Sequence, residues 1–148
     1  MKRIKIIGCT WILYLVEKRE ILMMKRDKKV GIPYPGKWVF PGGTAKEAET
    51  PEECLLREIW EELNYKPPLK NIKKFLIFFY PGGKAIEHFY FIPLKEIPEL
   101  KISEGEKIEW FKLEEIEKLD LGFWCREIIP VLRRYITYLE SEQSLSNW

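Results

Sequence analysis

Apolar residues recur along this chain with two different periods, and each period predicts a different kind of element. A nearly unbroken apolar run at positions 4–15 precedes the charged residues 17–19, and a second apolar run follows at 20–25. Short apolar runs separated by a polar turn are typical of neighbouring strands. The same pattern predicts further strands at 38–40, 72–80, 85–94 and 107–113.

One segment with the helical period carries clear signals at both of its ends. Thr50 is a good N-cap, Pro51 suits the first helical position, and Glu53 completes a capping box. Asn64 tolerates the left-handed conformation that ends many helices, and two prolines follow it shortly afterwards. We therefore predict a helix at 51–63, with a buried stripe that consists of Cys54, Leu55, Ile59 and Leu63.

A second helix is predicted near the end of the chain. It occupies about 124–139, where Pro130 either kinks the helix or marks its true start. A short helical turn is expected before it, at 114–118. Strands interspersed with helices that pack on a sheet indicate the α/β fold class.

Composition and charge narrow the class of protein. With 148 residues and 46% apolar side chains the chain can build one core, so we expect a single domain over 1–148. Its 25 basic and 23 acidic residues nearly cancel, which argues against general nucleic-acid binding. No stretch has transmembrane or signal-sequence character, so a cytoplasmic protein without membrane contact is expected. The three widely spaced cysteines favour core packing over disulfides or a zinc site.

Three glutamates on the first predicted helix are the most unusual chemical feature. Residues three and four positions apart are neighbours on a helix, so Glu58 faces both Glu61 and Glu62. Their mutual repulsion opposes folding, whereas Mg²⁺ or Mn²⁺ would reverse its sign because these ions take carboxylate oxygens as ligands. Taken alone, such a cluster is more often a solvated acidic face of a helix.

The residues before this helix favour the metal interpretation. Gly42 and Gly43 permit a sharp turn and let backbone carbonyls approach an ion. The segment 43–65 resembles the Nudix box, Gly-x5-Glu-x7-Arg-Glu-U-x-Glu-Glu-x-Gly-U, in which U is an apolar residue. Asn64 stands where that family has glycine. The matching positions are Gly43, Glu49, Arg57, Glu58, Ile59, Glu61, Glu62 and Tyr65.

The resemblance implies a fold, an activity and a set of ligands. The chain is similar to MutT-like Nudix hydrolases, whose fold is an α/β/α sandwich with a mixed sheet between helices. Arg57 is expected to orient the box carboxylates and to pair with Glu49. In this family the box glutamates hold Mg²⁺ or Mn²⁺, so the expected ligands are Glu58, Glu61, Glu62 and the carbonyl of Gly42.

A further carboxylate from outside the box often serves this family as ligand or general base. The segment 103–106 resembles the loop that supplies it in MutT-type members. Glu104 is the first choice, Glu106 the second, and Glu87 on a predicted hairpin strand the third. Without that role, each is an ordinary exposed glutamate.

The reaction implied by the resemblance is hydrolysis of a nucleoside diphosphate linked to another group. The first expectation is a nucleoside triphosphate, including oxidised or non-standard ones, cleaved to a nucleoside monophosphate and pyrophosphate. The alternative is ADP-ribose, a nucleotide sugar or a dinucleoside polyphosphate. From another class, a non-catalytic module that binds nucleotide or RNA remains open, although such a module would be expected to lose box carboxylates. An RNA 5′-end pyrophosphohydrolase would need a basic groove, which the charge balance does not indicate.

Four residues are expected to contact the substrate, which would be a small nucleotide. Arg26 and Phe40 fall where MutT-like enzymes contact phosphate and base, and Gly43 belongs to the turn beside them. Trp38 and Phe40 could stack on a base, although core packing is the more common role of aromatic side chains. The protein is expected to be a monomer or a homodimer.

Overall fold

The computed structural model describes residues 5–102, 107–142 and 145. Its strands are β1 (Ile6–Leu15), β2 (Glu20–Lys25), β3 (Trp38–Val39), β4 (Gly42–Thr44), β5 (Lys73–Phe79), β6 (Ala85–Leu94) and β7 (Lys107–Lys112). Its helices are α1 (Pro51–Leu63) and α2 (Cys125–Ser141), with 3₁₀ turns at Leu69–Asn71 and Ile116–Lys118.

These elements confirm most of the predicted ones and add a strand. The predicted helix at 51–63 is α1, and Pro130 lies inside α2 rather than at its start. The sequence predicts only a glycine turn at the position of β4, whereas its three residues pair antiparallel with Gly8, Cys9 and Thr10 of β1. The sequence alone does not indicate this strand, because its partner β1 lies more than about thirty positions away along the chain.

The chain divides into two compact units, and the first comprises residues 1–12, 41–92 and 98–103. In it β4 pairs antiparallel with β1, and β5 pairs antiparallel with β6. Helix α1 buries the predicted apolar stripe completely, since Cys54, Leu55, Ile59 and Leu63 have no exposed surface. This burial is what positions the glutamates on the rest of the helix.

The second unit comprises residues 13–40, 93–97 and 104–148. Strand β2 pairs antiparallel with β3 and, along its whole length, with β7. Helix α2 buries an apolar face that includes Ile128, Ile129, Leu132 and Ile136.

Strands β1 and β6 are hydrogen-bonded neighbours. The N–H of Ile6 donates to the carbonyl of Lys84 at 2.8 Å, and the N–H of Val16 donates to that of Leu94 at 3.0 Å. Because both partners advance together along their strands, β1 and β6 are parallel, whereas the other pairs are antiparallel. The sheet is therefore mixed, as predicted. Among the described residues, no helix has the length and apolar character needed to span a bilayer.

Candidate functional site

Helix α1 is fixed at both ends by the residues that predicted it. The hydroxyl oxygen of Thr50 accepts from the N–H of Glu53 at 3.1 Å, and a carboxylate oxygen of Glu53 accepts from the N–H of Thr50 at 2.9 Å. At the other end Asn64 has φ 53° and ψ 39°, and its N–H donates to the carbonyl of Trp60. The asparagine thus adopts the left-handed conformation for which glycine is usual, so the helix end is retained.

Arg57 connects three carboxylates within the first unit. Two of its nitrogens donate to the two oxygens of Glu49, at 2.8 and 3.0 Å. A third nitrogen donates to Glu58 at 2.9 Å and to Glu61 at 3.1 Å. The carbonyl of Thr44 accepts a further bond at 3.1 Å. A guanidinium fork suits this task because it holds carboxylates at fixed angles and offsets their charge.

The protonation of these groups follows from the same contacts. Hydrogen bonds from Arg57 lower the pKa of Glu49 to about 2. The carboxylates in turn raise the pKa of Arg57, with Glu49 as the largest cause. Burial raises the pKa of Glu58, and the nearby charges of Glu61 and Glu49 raise it further, while Arg57 opposes the shift. Glu58 therefore lies where an additional cation would be stabilising.

The two glycines before α1 are needed for close approach rather than for an unusual backbone angle. A Cβ on Gly43 would lie 2.1 to 2.5 Å from the carboxylate atoms of Glu58. A Cβ on Gly42 would lie 2.4 Å from the carbonyl oxygen of Cys9, which faces it across the β1–β4 pair. Side chains at these positions would push β4 away from β1 and displace the Glu58 carboxylate.

The donor set fits a hard divalent cation. Three glutamates, Glu58, Glu61 and Glu62, lie within about one turn of α1. The backbone of Gly42 lies in strand β4. Carboxylate and carbonyl oxygens are the ligands that Mg²⁺ and Mn²⁺ prefer. Over residues 5–102 and 107–142, no three acidic, histidine or cysteine side chains already converge on one ion position. The physical reason is Arg57, toward which Glu58 and Glu61 are turned.

The three choices for a carboxylate outside the box have different outcomes. Glu104 and Glu106 lie outside the described residues, so their assignments stay predictions. Glu87 lies in β6, and the hydroxyl of Thr10 donates to it at 2.7 Å. The sulfur atoms of Cys9 and Cys54 approach to 2.9 Å, so the Cys9 side of β1 faces α1. Because neighbouring strand residues point to opposite faces, Thr10 and Glu87 lie on the other face of the sheet.

Two of the predicted substrate contacts, Arg26 and Phe40, belong to the second unit. Arg26 donates through Nε to the carbonyl of Pro33 at 2.7 Å, and its guanidinium lies 5.1 Å from the ring centre of Phe123. Phe40 is buried, with 5% of its surface exposed. Its ring is therefore shielded from solvent, and contact with a substrate stays a prediction.

Trp38, also in the second unit, has a cationic environment. The ammonium groups of Lys25 and Lys107 lie 5.9 and 5.8 Å from its ring centre. The ring of Phe111 meets it edge to face, with 4.9 Å between centroids. Cations beside an aromatic ring are attracted to its face. A stacking role for Trp38 stays a prediction.

Comparison with known proteins places this geometry in a family. The family model described as NUDIX domain matches residues 9–132, which include β4, α1 and every box residue. This chain belongs to the Nudix family. The Nudix box at 43–65 thus carries the bidentate Arg57–Glu49 pair and the glutamates beside it.

Curated relatives of this Nudix chain include diphosphoinositol polyphosphate phosphohydrolases. The 3-alpha form of Mus musculus is 28% identical over 134 residues, covering 86% of this chain and 73% of the relative. Diphosphoinositol polyphosphate phosphohydrolase 2 of Homo sapiens is 29% identical over 134 residues, covering 88% of this chain and 68% of the relative.

Solved structures share the fold at lower identity. A MutT protein from Methanosarcina mazei Go1 has a TM-score of 0.71 and 24% identity, covering 91% of this chain and 97% of its own. A bifunctional NMN adenylyltransferase/ADP ribose pyrophosphatase from Francisella tularensis, complexed with AMP and Mn ion, has a TM-score of 0.70 and 20% identity. That match covers 90% of this chain and 42% of the other.

These matches confirm the predicted family, the α/β fold class with its mixed sheet, and the enzyme class, a pyrophosphohydrolase. Nudix hydrolases generally use divalent metals. The site residues and the domain bounds stay predictions.

Proposed function

We propose that this protein hydrolyses a phosphoric anhydride in a nucleoside diphosphate linked to another group, with Mg²⁺ or Mn²⁺ as cofactor. The observation that carries the proposal is the position of Arg57, which gathers Glu49, Glu58 and Glu61 beside Gly43 of β4. A stable fold has no need to crowd carboxylates in this way, whereas polyphosphate chemistry needs oxygen ligands for cations.

Each residue of the site has a distinct part in the reaction. Glu58, Glu61, Glu62 and the carbonyl of Gly42 would hold the cation, and Arg57 would keep the carboxylates oriented through its bond to Glu49. When bound, the ion neutralises phosphate charge and lowers the pKa of a water molecule. A carboxylate outside the box, Glu104 as first choice, would take the proton from the attacking water.

The first proposed substrate is a nucleoside triphosphate, including oxidised or non-standard ones, cleaved to a nucleoside monophosphate and pyrophosphate. ADP-ribose, nucleotide sugars and dinucleoside polyphosphates form the second proposed class. Two similarities support a wider panel of substrates, since the curated relatives include diphosphoinositol polyphosphate phosphohydrolases and a structural neighbour is a bifunctional NMN adenylyltransferase/ADP ribose pyrophosphatase. We further propose a cytoplasmic protein, monomeric or homodimeric, that folds as one domain and acts on a small molecule.

The test is product release from a substrate panel by the wild type and two matched variants. The panel contains nucleoside triphosphates, ADP-ribose, a dinucleoside polyphosphate, a diphosphoinositol polyphosphate and 5′-triphosphate RNA, each with Mg²⁺, Mn²⁺ or EDTA. Glu62→Gln should abolish metal-dependent release while thermal unfolding stays unchanged. The control Glu96→Gln, an exposed residue after β6, should behave as wild type.

Two results would contradict the proposal. Normal metal-dependent release by Glu62→Gln would remove that glutamate from the site. Nucleotide binding by the wild type without release from any substrate would instead favour a non-catalytic module.

A further inference from the structure

On the face of the sheet opposite α1, the first unit holds a carboxylate in an unusual position. Oε2 of Glu87 accepts from the hydroxyl of Thr10 at 2.7 Å. A Cβ built on Gly8 would lie 2.1 Å from Oε1 of Glu87 and 2.6 Å from its carboxyl carbon. The carboxylate therefore rests directly on the backbone of β1, in space that any residue other than glycine would fill.

Aromatic residues of the neighbouring strand lie on the same face of the sheet as this carboxylate. Phe78 of β5 lies opposite Glu87 in the β5–β6 register, so the two side chains share a face. The ring of Tyr80 meets that of Phe78 edge to face, with centroids 5.4 Å apart. Glu87, Phe78 and Tyr80 are each half-buried, so they are accessible to a small molecule.

The carboxylate has no cation to offset its charge. Among the residues that the structure describes, Thr10 is its hydrogen-bond partner and no lysine or arginine forms an ion pair with it. Burial accordingly raises the pKa of Glu87 to about 7, against the effect of the Thr10 hydroxyl. A half-buried carboxylate without a counter-charge is unfavourable for folding, and such groups are concentrated at functional sites.

The position of Glu87 favours a role other than activation of water. The Glu58 carboxylate lies over Gly43, on the α1 face, whereas Glu87 lies over Gly8 on the opposite face. The sheet itself separates Glu87 from the carboxylates that Arg57 gathers. A role in recognising another part of the substrate remains, because Thr10, which donates to Glu87, pairs directly with Gly42, whose carbonyl is a predicted ligand of the cation.

We propose that Glu87, positioned by Thr10 beside Phe78, is a specificity-determining residue that accepts hydrogen bonds from N–H donors on the edge of a nucleobase. This inference rests on the proposed function, since it names the group that the hydrolysed diphosphate carries. An ionised carboxylate accepts hydrogen bonds but cannot donate them. Guanine presents two adjacent N–H donors on one edge, which such a carboxylate can accept from. The same charge disfavours a polyphosphorylated inositol, because two like charges at close range repel.

The test compares guanosine with inosine nucleotides, which differ only by one amino donor. Binding of GDP and IDP is measured by calorimetry at pH 8, above the pKa of Glu87, without metal, and kcat/KM for GTP and ITP is measured at the same pH with Mg²⁺. Wild type should prefer guanosine by about tenfold in both measurements, since a lost bidentate contact has roughly that effect. Glu87→Gln should bring the ratio close to one, and Thr10→Val should lower it.

A control variant and the possible outcomes distinguish this proposal from its alternatives. Glu96→Gln should leave the guanosine preference unchanged. An unchanged preference in Glu87→Gln, equal losses for both nucleotides, or absence of binding to either would overturn the proposal. A wild type that prefers a diphosphoinositol polyphosphate to GTP would also overturn it. If the wild type binds both nucleotides but hydrolyses neither, the proposed function fails, and the binding ratio alone still decides the role of Glu87.

Discussion

The unpaired carboxylate of Glu87 should make the stability of this protein fall as the pH rises. Burial raises its pKa from the ordinary 4.5 to about 7 in the folded chain. The native state therefore binds a proton that the unfolded chain releases between these values, so the free energy of unfolding decreases through this window. Since each pKa unit corresponds to about 1.4 kcal/mol, the full loss above pH 7 is at most about 3.5 kcal/mol.

Glu87→Gln isolates this contribution, because glutamine has nearly the same shape and does not titrate. The free energy of unfolding is measured by urea denaturation at pH 5, 6, 7 and 8 for the wild type, Glu87→Gln and the exposed control Glu96→Gln. The difference between Glu87→Gln and wild type should grow in favour of the variant by about 1 to 3 kcal/mol from pH 5 to pH 8. The control should show a constant difference. A constant difference for Glu87→Gln as well would refute the reasoning.

Three further substitutions test separate contacts. Arg57→Lys keeps the charge but loses the two-pronged bond to Glu49, so kcat should fall about 10- to 100-fold with little change in Tm. Gly43→Ala should abolish turnover, because the new methyl group would lie about 2.1 Å from the Glu58 carboxyl carbon. Thr50→Ala should lower the free energy of unfolding by about 1 kcal/mol, measured in urea, since a helix cap is lost. A wild-type result for any of them would contradict the corresponding contact.

Helix α1 was predictable because its determinants are local. The cap at Thr50, the proline after it and the left-handed end at Asn64 all act within a few residues of the helix they define. The Nudix pattern added the pairing of Arg57 with Glu49, which the structure contains as a bidentate bond. The helix and its carboxylate cluster could be predicted because residues three and four positions apart along the chain are neighbours on the surface of a helix.

Features that depend on distant pairing were not predictable. Strand β4 exists because Gly42 can approach the carbonyl of Cys9 closely, and nothing in its own three residues indicates a strand. The bond from Thr10 to Glu87 joins residues 77 positions apart, so no local pattern could reveal it. The sequence offers Glu87 as a candidate base, and only the alternation of side chains along β1 shows which face of the sheet it occupies.

The most direct test is the location of a metal ion in the folded protein. Crystals grown with Mn²⁺ and a non-hydrolysable nucleotide would be measured at a wavelength that gives anomalous scattering from manganese. The predicted result is an anomalous peak at about 2.2 Å from oxygens of at least two of Glu58, Glu61 and Glu62, close to the Gly42 carbonyl. Well-ordered nucleotide without manganese at those glutamates, or manganese bound only elsewhere, would contradict the assignment of the site.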